Sequence, residues 1–308
     1  MTNLTNSVNS TSSATFKDYI ALARMDHWLK NVFRLPGVVF AFLYFSPTMN
    51  IELLIKFFIG VLSTCLIASA NYVINEWIDA EFDKFHPVKK HRTSVTKHVN
   101  KKIVIFQYLG IALIGLLLAY SISIPFFLVA LLLLVMGFLY NVKPFRTKDL
   151  PYLDVISESV NNPIRFLLGW YIIVPLTFPP SSILLAYWMA GAFLMATKRF
   201  AEYNFIENKE TAGLYRKSFV NYTREKLLIS LFFYALTATF FLGIFLMKYR
   251  IELIITFPFF ALLFTWYLKI GFKKDSIVQK PEKLYEKKKF MFYILFLLFF
   301  AQVKIPLN

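Results

Sequence analysis

Residues 51–92 read IELLIKFFIGVLSTCLIASANYVINEWIDAEFDKFHPVKKHR: an apolar run, then acids, then bases. Ile51–Asn71 is about the ~20 residues an α-helix needs to cross a bilayer. The polar part that follows therefore stands where a membrane helix meets water. Continued as a helix, Asn75, Asp79 and Asp83 are four apart and share one face, with Glu76 beside them. Like charges at that spacing repel, so a cation is expected among them. Lys84, His86, Lys89, Lys90, His91 and Arg92 follow at once. Acids and then bases at a membrane surface suit a metal-bound phosphate ester.

The rest of the chain is membrane-like. Of 308 residues, 57% are hydrophobic, against 45–50% in a soluble domain, and the excess comes in long blocks. Nine apolar segments are expected: Val32–Phe45, Ile51–Asn71, Ile103–Ile122, Pro125–Tyr140, Val155–Leu176, Ser182–Ala201, Leu227–Met247, Ile251–Leu268 and Phe290–Gln302. The fold class is thus all-α, a polytopic bundle. Residues 1–14 read as a disordered polar tail and 15–308 as a single transmembrane helical domain. No apolar signal-peptide core begins the chain. Phe16–Lys30 mixes apolar and charged residues like an amphipathic helix on the membrane surface, with Trp28 as anchor.

The net charge of +16 first means topology. Basic residues crowd alternate loops: 84–102, 143–148, 198–226 and 269–289. Those loops and the N-terminus are expected on the cytoplasmic side of a cell membrane, and an odd number of spans sends the C-terminus outside. Because the bases are divided among loops, no nucleic-acid partner is expected. The single cysteine, Cys65, lies in an apolar run, which excludes a disulfide within the chain.

Two further polar groups fall on the same side. Asp154 and Glu158 are four apart at the start of the fifth segment, with Asn162 and Arg165 continuing the face. A charge as deep as Arg165 implies a cavity or a partner. Lys198-Arg199-Phe-Ala-Glu202 ends the sixth segment, and Arg216, Lys217 and Tyr222 lie in a loop able to cover a site. His86, His91 and His98 lack the spacing of a zinc site. Carboxylates with Asn and no Cys suit Mg2+, which binds through one or two carboxylates plus substrate phosphates. Lys and Arg would hold the remaining oxygens. No Gly-rich nucleotide loop is present.

The Asn-x3-Asp-x3-Asp pattern at Asn75, Asp79 and Asp83, followed by Asp154-x3-Glu158, resembles the UbiA-type membrane prenyltransferases. His86-Pro87-x-Lys89-x-x-Arg92, Arg24 with Trp28-x-Lys30-Asn31, and Lys198-Arg199-x-x-Glu202 are similar to the decaprenyl-phosphate phosphoribosyltransferase branch. Glu76 stands where Asp is usual, Glu158 ends the second motif where Asp is common, and Thr93 stands in place of Pro. The resemblance implies nine helices around a central cavity open to the cytoplasm, and Mg2+ as cofactor. It also implies a phosphoribosyl group moving from phosphoribosyl pyrophosphate to a polyprenyl phosphate. Asn75, Asp79 and Asp83 would hold the metal and diphosphate, with Asp154 and Glu158 as further metal candidates. Lys30, Glu76, Lys89, Arg92, Asp154, Glu158, Asn162, Arg165, Lys198 and Glu202 are the candidates for substrate. The alternatives are a prenyltransferase using a polyprenyl diphosphate with an aromatic or glycerol-phosphate acceptor, and an anion transporter. The bilayer is the implied setting, and a homo-oligomer is compatible with the sequence.

Overall fold

The computed structural model describes residues 12–206, 208–273, 276–279 and 281–300. Its α-helices in chain order are α1 (Phe16–Leu22), α2 (Leu35–Phe45), α3 (Ile51–Asp83), α4 (Thr93–Thr96), α5 (Lys101–Tyr120), α6 (Ile124–Asn141), α7 (Leu153–Ser159), α8 (Asn161–Ile173), α9 (Ser181–Phe205), α10 (Lys209–Tyr215), α11 (Arg224–Tyr249), α12 (Phe257–Gly271) and α13 (Lys288–Phe300). Among the described residues there is no strand, only an isolated bridge from Ser13 to His98. Among the described residues, five spans are long and apolar enough to cross a membrane: Ile51–Asp83, Lys101–Tyr120, Ile124–Asn141, Arg224–Tyr249 and Ile251–Gly271. The shorter Asn31–Phe45 is apolar as well.

Helices overlie the expected segments with altered ends, though only those five described spans are long and apolar enough to cross, and the expected Phe290–Gln302 extends past the described residues. The helix starting at Ile51 does not stop at Asn71; it runs 33 residues to Asp83, started by Asn50, whose side chain accepts from Leu53 N. The fifth segment is not continuous: it breaks at Val160 into α7 and α8, ahead of Pro163. Trp188 Nε1 donates to Ile156 O and to Ser159 Oγ beside the break, tying it to α9.

The expected surface helix from Phe16 to Lys30 is also broken. Arg24 adopts a left-handed conformation (φ 46°), and residues Met25–Arg34 form a 3-10 run instead. That run leaves the surface and lies along α3. Trp28 Nε1 donates to Ser69 Oγ at 2.8 Å, and Asn31 Nδ2 contacts Cys65 Sγ at 3.2 Å. The N–H of Trp28 is therefore matched inside the bundle, on Ser69. Of the polar tail, residues 1–11 lie outside the described residues, while Ala14 N donates to His98 O at 3.0 Å.

Two helix groups frame the site. In one, α3 packs on α5, α6 and α8, with α2 against α8; in the other, α9 packs on α11. The α2–α8 crossing depends on glycine: a Cβ on Gly37 would lie 1.9 Å from Phe166 O, and one on Gly169 would lie 2.1 Å from Arg34 O. Close approach through small residues is how helices associate where lipid removes the hydrophobic drive.

Candidate active site

The C-terminal end of α3, the loop after α6, α7 and the end of α9 surround a cavity of about 400 Å³. The segment after α3 (residues 86–92) and the α10 region also line it. Its walls carry eight Lys or Arg and five Asp or Glu side chains.

Asn75, Asp79 and Asp83 line one wall, as their one-turn spacing on α3 requires. Opposite them stands a turn after α6 that contains two residues at positive φ, Arg146 (27°) and Tyr152 (66°). Such backbone is costly for non-glycine residues and persists only when the surroundings hold it. Here the surroundings are ionic. Arg146 Nη2 donates to Asp79 Oδ1 at 3.2 Å, and its Nε and Nη1 reach Asp149 and Asn141 O. Lys148 Nζ donates to Asp79 Oδ1, to Asn75 Oδ1 at 3.0 Å and to Asn141 Oδ1 at 2.8 Å. Burial pushes the Lys148 ammonium down to about 8, against the opposing pull of Asp79.

A second cation group faces Asp83. Arg92 Nη1 donates to Asp83 Oδ2 at 2.6 Å. A third lies near α9 and α10. Lys89 meets Tyr215 Oη and stands 3.6 Å from Glu202 Oε1. Burial disfavours its charge, but Tyr215, Glu202 and Asp83 outweigh that and raise its pKa. His86 fixes this corner, since its Nδ1 accepts from the backbone N–H of Val88 and of Lys89. Arg199, 1% exposed, spans three acids: Glu202 at 2.8 Å, Glu158 at 2.6 Å and Asp154 at 3.2 Å. Tyr140 Oη donates to Glu158 Oε2 at 2.7 Å.

Of the sequence candidates, Asn75, Asp79, Asp83, Lys89, Arg92, Glu158, Lys198 and Glu202 line this cavity. Glu76 and Asp154 lie behind its wall. Asn162 packs against α9 at Gly191, where an added Cβ would fall 2.0 Å from its Nδ2. Arg165 donates to Asn31 Oδ1 at 3.2 Å and Asn161 O at 3.4 Å, also off the cavity. The Lys30 side chain lies outside the described part of the structure. Sequence reasoning passed over Tyr140, Arg146 and Lys148 as site residues; their signal was a polar run, Asn141 to Lys148, directly after an apolar segment.

Among the described residues, no three His, Cys, Asp or Glu side chains converge as a metal cage. Asn75, Asp79 and Asp83 instead present oxygens along one wall of a cation-rich cavity. That donor set fits a hard divalent ion that completes its shell with phosphate oxygens.

Comparison with known proteins gives the family and a fold neighbour. A family model described as the UbiA prenyltransferase family matches residues 35–297. A decaprenyl-phosphate phosphoribosyltransferase of Mycolicibacterium smegmatis is 30% identical over 212 residues, covering 68% of this chain and 63% of that protein. An uncharacterized protein, y4nM, of Sinorhizobium fredii is 27% identical over 154 residues, covering 50% of this chain and 28% of its own length. The solved structure of a UbiA homolog from Archaeoglobus fulgidus bound to GPP and Mg2+ superposes with a TM-score of 0.69 at 22% identity, covering 94% of this chain and all of that one.

Proposed function

Because the chain belongs to the UbiA prenyltransferase family, a multi-pass membrane family, we propose that it transfers a 5-phosphoribosyl group from phosphoribosyl pyrophosphate to a polyprenyl phosphate, with Mg2+. In this proposal nine spans surround the cavity, which opens with the N-terminus to the cytoplasmic face of the cell membrane. One observation carries the choice of donor. Beyond Arg146 and Lys148 beside Asp79, the cavity gathers Lys89, Arg92, Lys198, Arg199 and Arg216. These cations lie in separate groups, Arg146 and Lys148 at Asp79, Arg92 at Asp83, and Lys89 and Arg199 at Glu202; a donor with a pyrophosphate and a separate 5-phosphate would use more than one of them. The similarity to the phosphoribosyltransferase supports the same choice, although it spans less than two thirds of that relative.

The bond from ribose C1 to the pyrophosphate oxygen breaks, and its electron pair leaves with pyrophosphate. A phosphate oxygen of the polyprenyl phosphate bonds to C1. Asn75, Asp79 and Asp83 would hold Mg2+, which when bound offsets the charge growing on the departing pyrophosphate. Lys89, Arg92, Lys198, Arg199 and Arg216 hold the phosphate oxygens in fixed positions, ahead of the charge that develops. The acceptor is already an anion, so no side chain needs to remove a proton from it.

The test is direct. Purified protein in detergent receives radiolabelled phosphoribosyl pyrophosphate, Mg2+ and a polyprenyl phosphate, and label is expected in the lipid extract. Unlabelled lipid, together with transfer from a polyprenyl diphosphate to an aromatic or glycerol-phosphate acceptor, would replace the proposal with a prenyl transfer.

A further inference from the structure

Two carboxylates stand behind the cavity wall, and each touches two arginines that form it. Glu76 is 6% exposed and Asp154 0%, and neither lines the cavity, whereas Arg24, Arg92, Arg199 and Arg216 do. Glu76 Oε2 lies 3.3 Å from Arg92 Nη1 and 3.5 Å from Arg24 Nη1. Ser94 Oγ is 3.5 Å from its other oxygen. Asp154 repeats the arrangement across the cavity. Its Oδ2 takes Arg199 Nε at 3.2 Å, Arg216 Nη1 at 3.4 Å and Ser218 Oγ at 3.1 Å. Its Oδ1 takes Tyr222 Oη at 2.7 Å.

The electrostatics give this arrangement a purpose. Two guanidinium groups side by side repel, and each long side chain loses rotamer freedom when held in place. An acid on the side away from the cavity offsets the repulsion and fixes the direction of each planar fork. Asp154, fully buried and absent from the cavity lining, turns Oδ2 to Arg199, Arg216 and Ser218 and Oδ1 to Tyr222, so its four protein donors lie behind the wall.

We propose that Glu76 and Asp154 are positioning residues rather than metal ligands: each aims a pair of arginines into the cavity to grip the phosphate oxygens of the anionic substrate. This rests on the reading of the cavity as a pyrophosphate site, but not on which donor carries the pyrophosphate.

The test uses the whole protein in detergent, inorganic pyrophosphate as ligand, and two readouts. Calorimetry in Mg2+ gives the pyrophosphate affinity. Electron paramagnetic resonance with Mn2+ in place of Mg2+, at saturating pyrophosphate, gives the metal's surroundings. Glu76→Gln and Asp154→Asn are each expected to weaken pyrophosphate binding by roughly ten- to a hundredfold, the worth of a charge-assisted hydrogen bond. Both should leave the Mn2+ spectrum as in the wild type, while Asp79→Asn changes it. Glu76→Asp, which keeps the charge, should recover part of the affinity. A Mn2+ spectrum altered by E76Q or D154N as it is by D79N would overturn the proposal, as would unchanged pyrophosphate affinity. Should D154N fail to fold, E76Q decides, since its contacts at 3.3–3.5 Å are looser. A wild type that binds pyrophosphate but does not turn over phosphoribosyl pyrophosphate sinks the donor assignment alone. One that binds no pyrophosphate sinks both.

Discussion

Lys148 reaches Asp79 across 69 residues of sequence and joins the loop after α6 to the acidic face of α3. Its ammonium already sits near 8 with Asp79 pulling it upward. Removing that carboxylate lets the buried lysine shed its proton at neutral pH, which avoids an unpaired buried charge. Asp79→Asn should therefore still insert and fold, judged by monodisperse elution in detergent. Its turnover should fall by on the order of a hundredfold or more. Asp83→Asn should behave alike, and chelation of the wild type should abolish turnover until Mg2+ is restored. Near-normal activity in either variant removes the metal assignment.

Lys89 tests the donor. It contacts Tyr215 and Glu202, whereas Asp79 is paired with Arg146 and Lys148. Lys89→Met should raise the KM for phosphoribosyl pyrophosphate by about ten- to a hundredfold, with a smaller change in kcat. Initial rates across donor concentrations check this; an unchanged KM would mean that Lys89 serves only the Glu202 pair.

The helix crossing makes a stability test. Gly169→Ala sets a methyl 2.1 Å from Arg34 O, and α2 and α8 must separate to admit it. The expected cost is about 1–3 kcal/mol, read as a lower melting temperature in detergent. Gly110 has open space where its Cβ would stand, so Gly110→Ala should hold or raise the melting temperature by helix propensity. Equal behaviour of the two would discount the crossing.

Acid should release the N-terminal segment. Lys97, donating at 2.8–2.9 Å, and the Thr15 backbone and hydroxyl hold Asp18 down to about 2, below its ordinary 3.8. A carboxylate with a depressed folded pKa contributes stability above its unfolded value, and that contribution is lost as pH falls toward 2. Pepsin cleavage around Phe16–Leu22 should then rise from pH 4 to pH 2. Asp18→Asn should be cleaved at both values, and a wild type cut equally at both would remove the role of the Lys97 pair.

Local periodicity made part of this site legible. Asn75, Asp79 and Asp83 share a face because residues four apart on one helix must do so. The same rule misplaced Asn162 and Arg165: Asn162 packs at Gly191 and Arg165 donates to Asn31, and neither lines the cavity. Spacing also could not tell Glu158, on the cavity, from Asp154, behind it. That depends on Ser218 and Tyr222, more than 60 residues away. Arg146 and Lys148 were illegible as site residues for a related reason. In sequence they are two more bases in a cytoplasmic-type loop, and only the folded turn carries them to α3. The bundle itself was legible because apolar blocks of membrane length leave few other folds.

At 1.5 Å per residue, the 33 residues of α3 measure about 50 Å, against about 30 Å of hydrocarbon in a bilayer. On the proposed reading, with Asp79 and Asp83 at its far end, α3 would work as a mast that holds the reaction above the lipid tails. For the proposed reaction, a water-soluble sugar donor meets its lipid partner without entering oil. An isoprenoid is then gripped by its phosphate head and nearest units, while the remainder trails among the lipids. Lipids differing only in how far that tail extends should look alike to this enzyme.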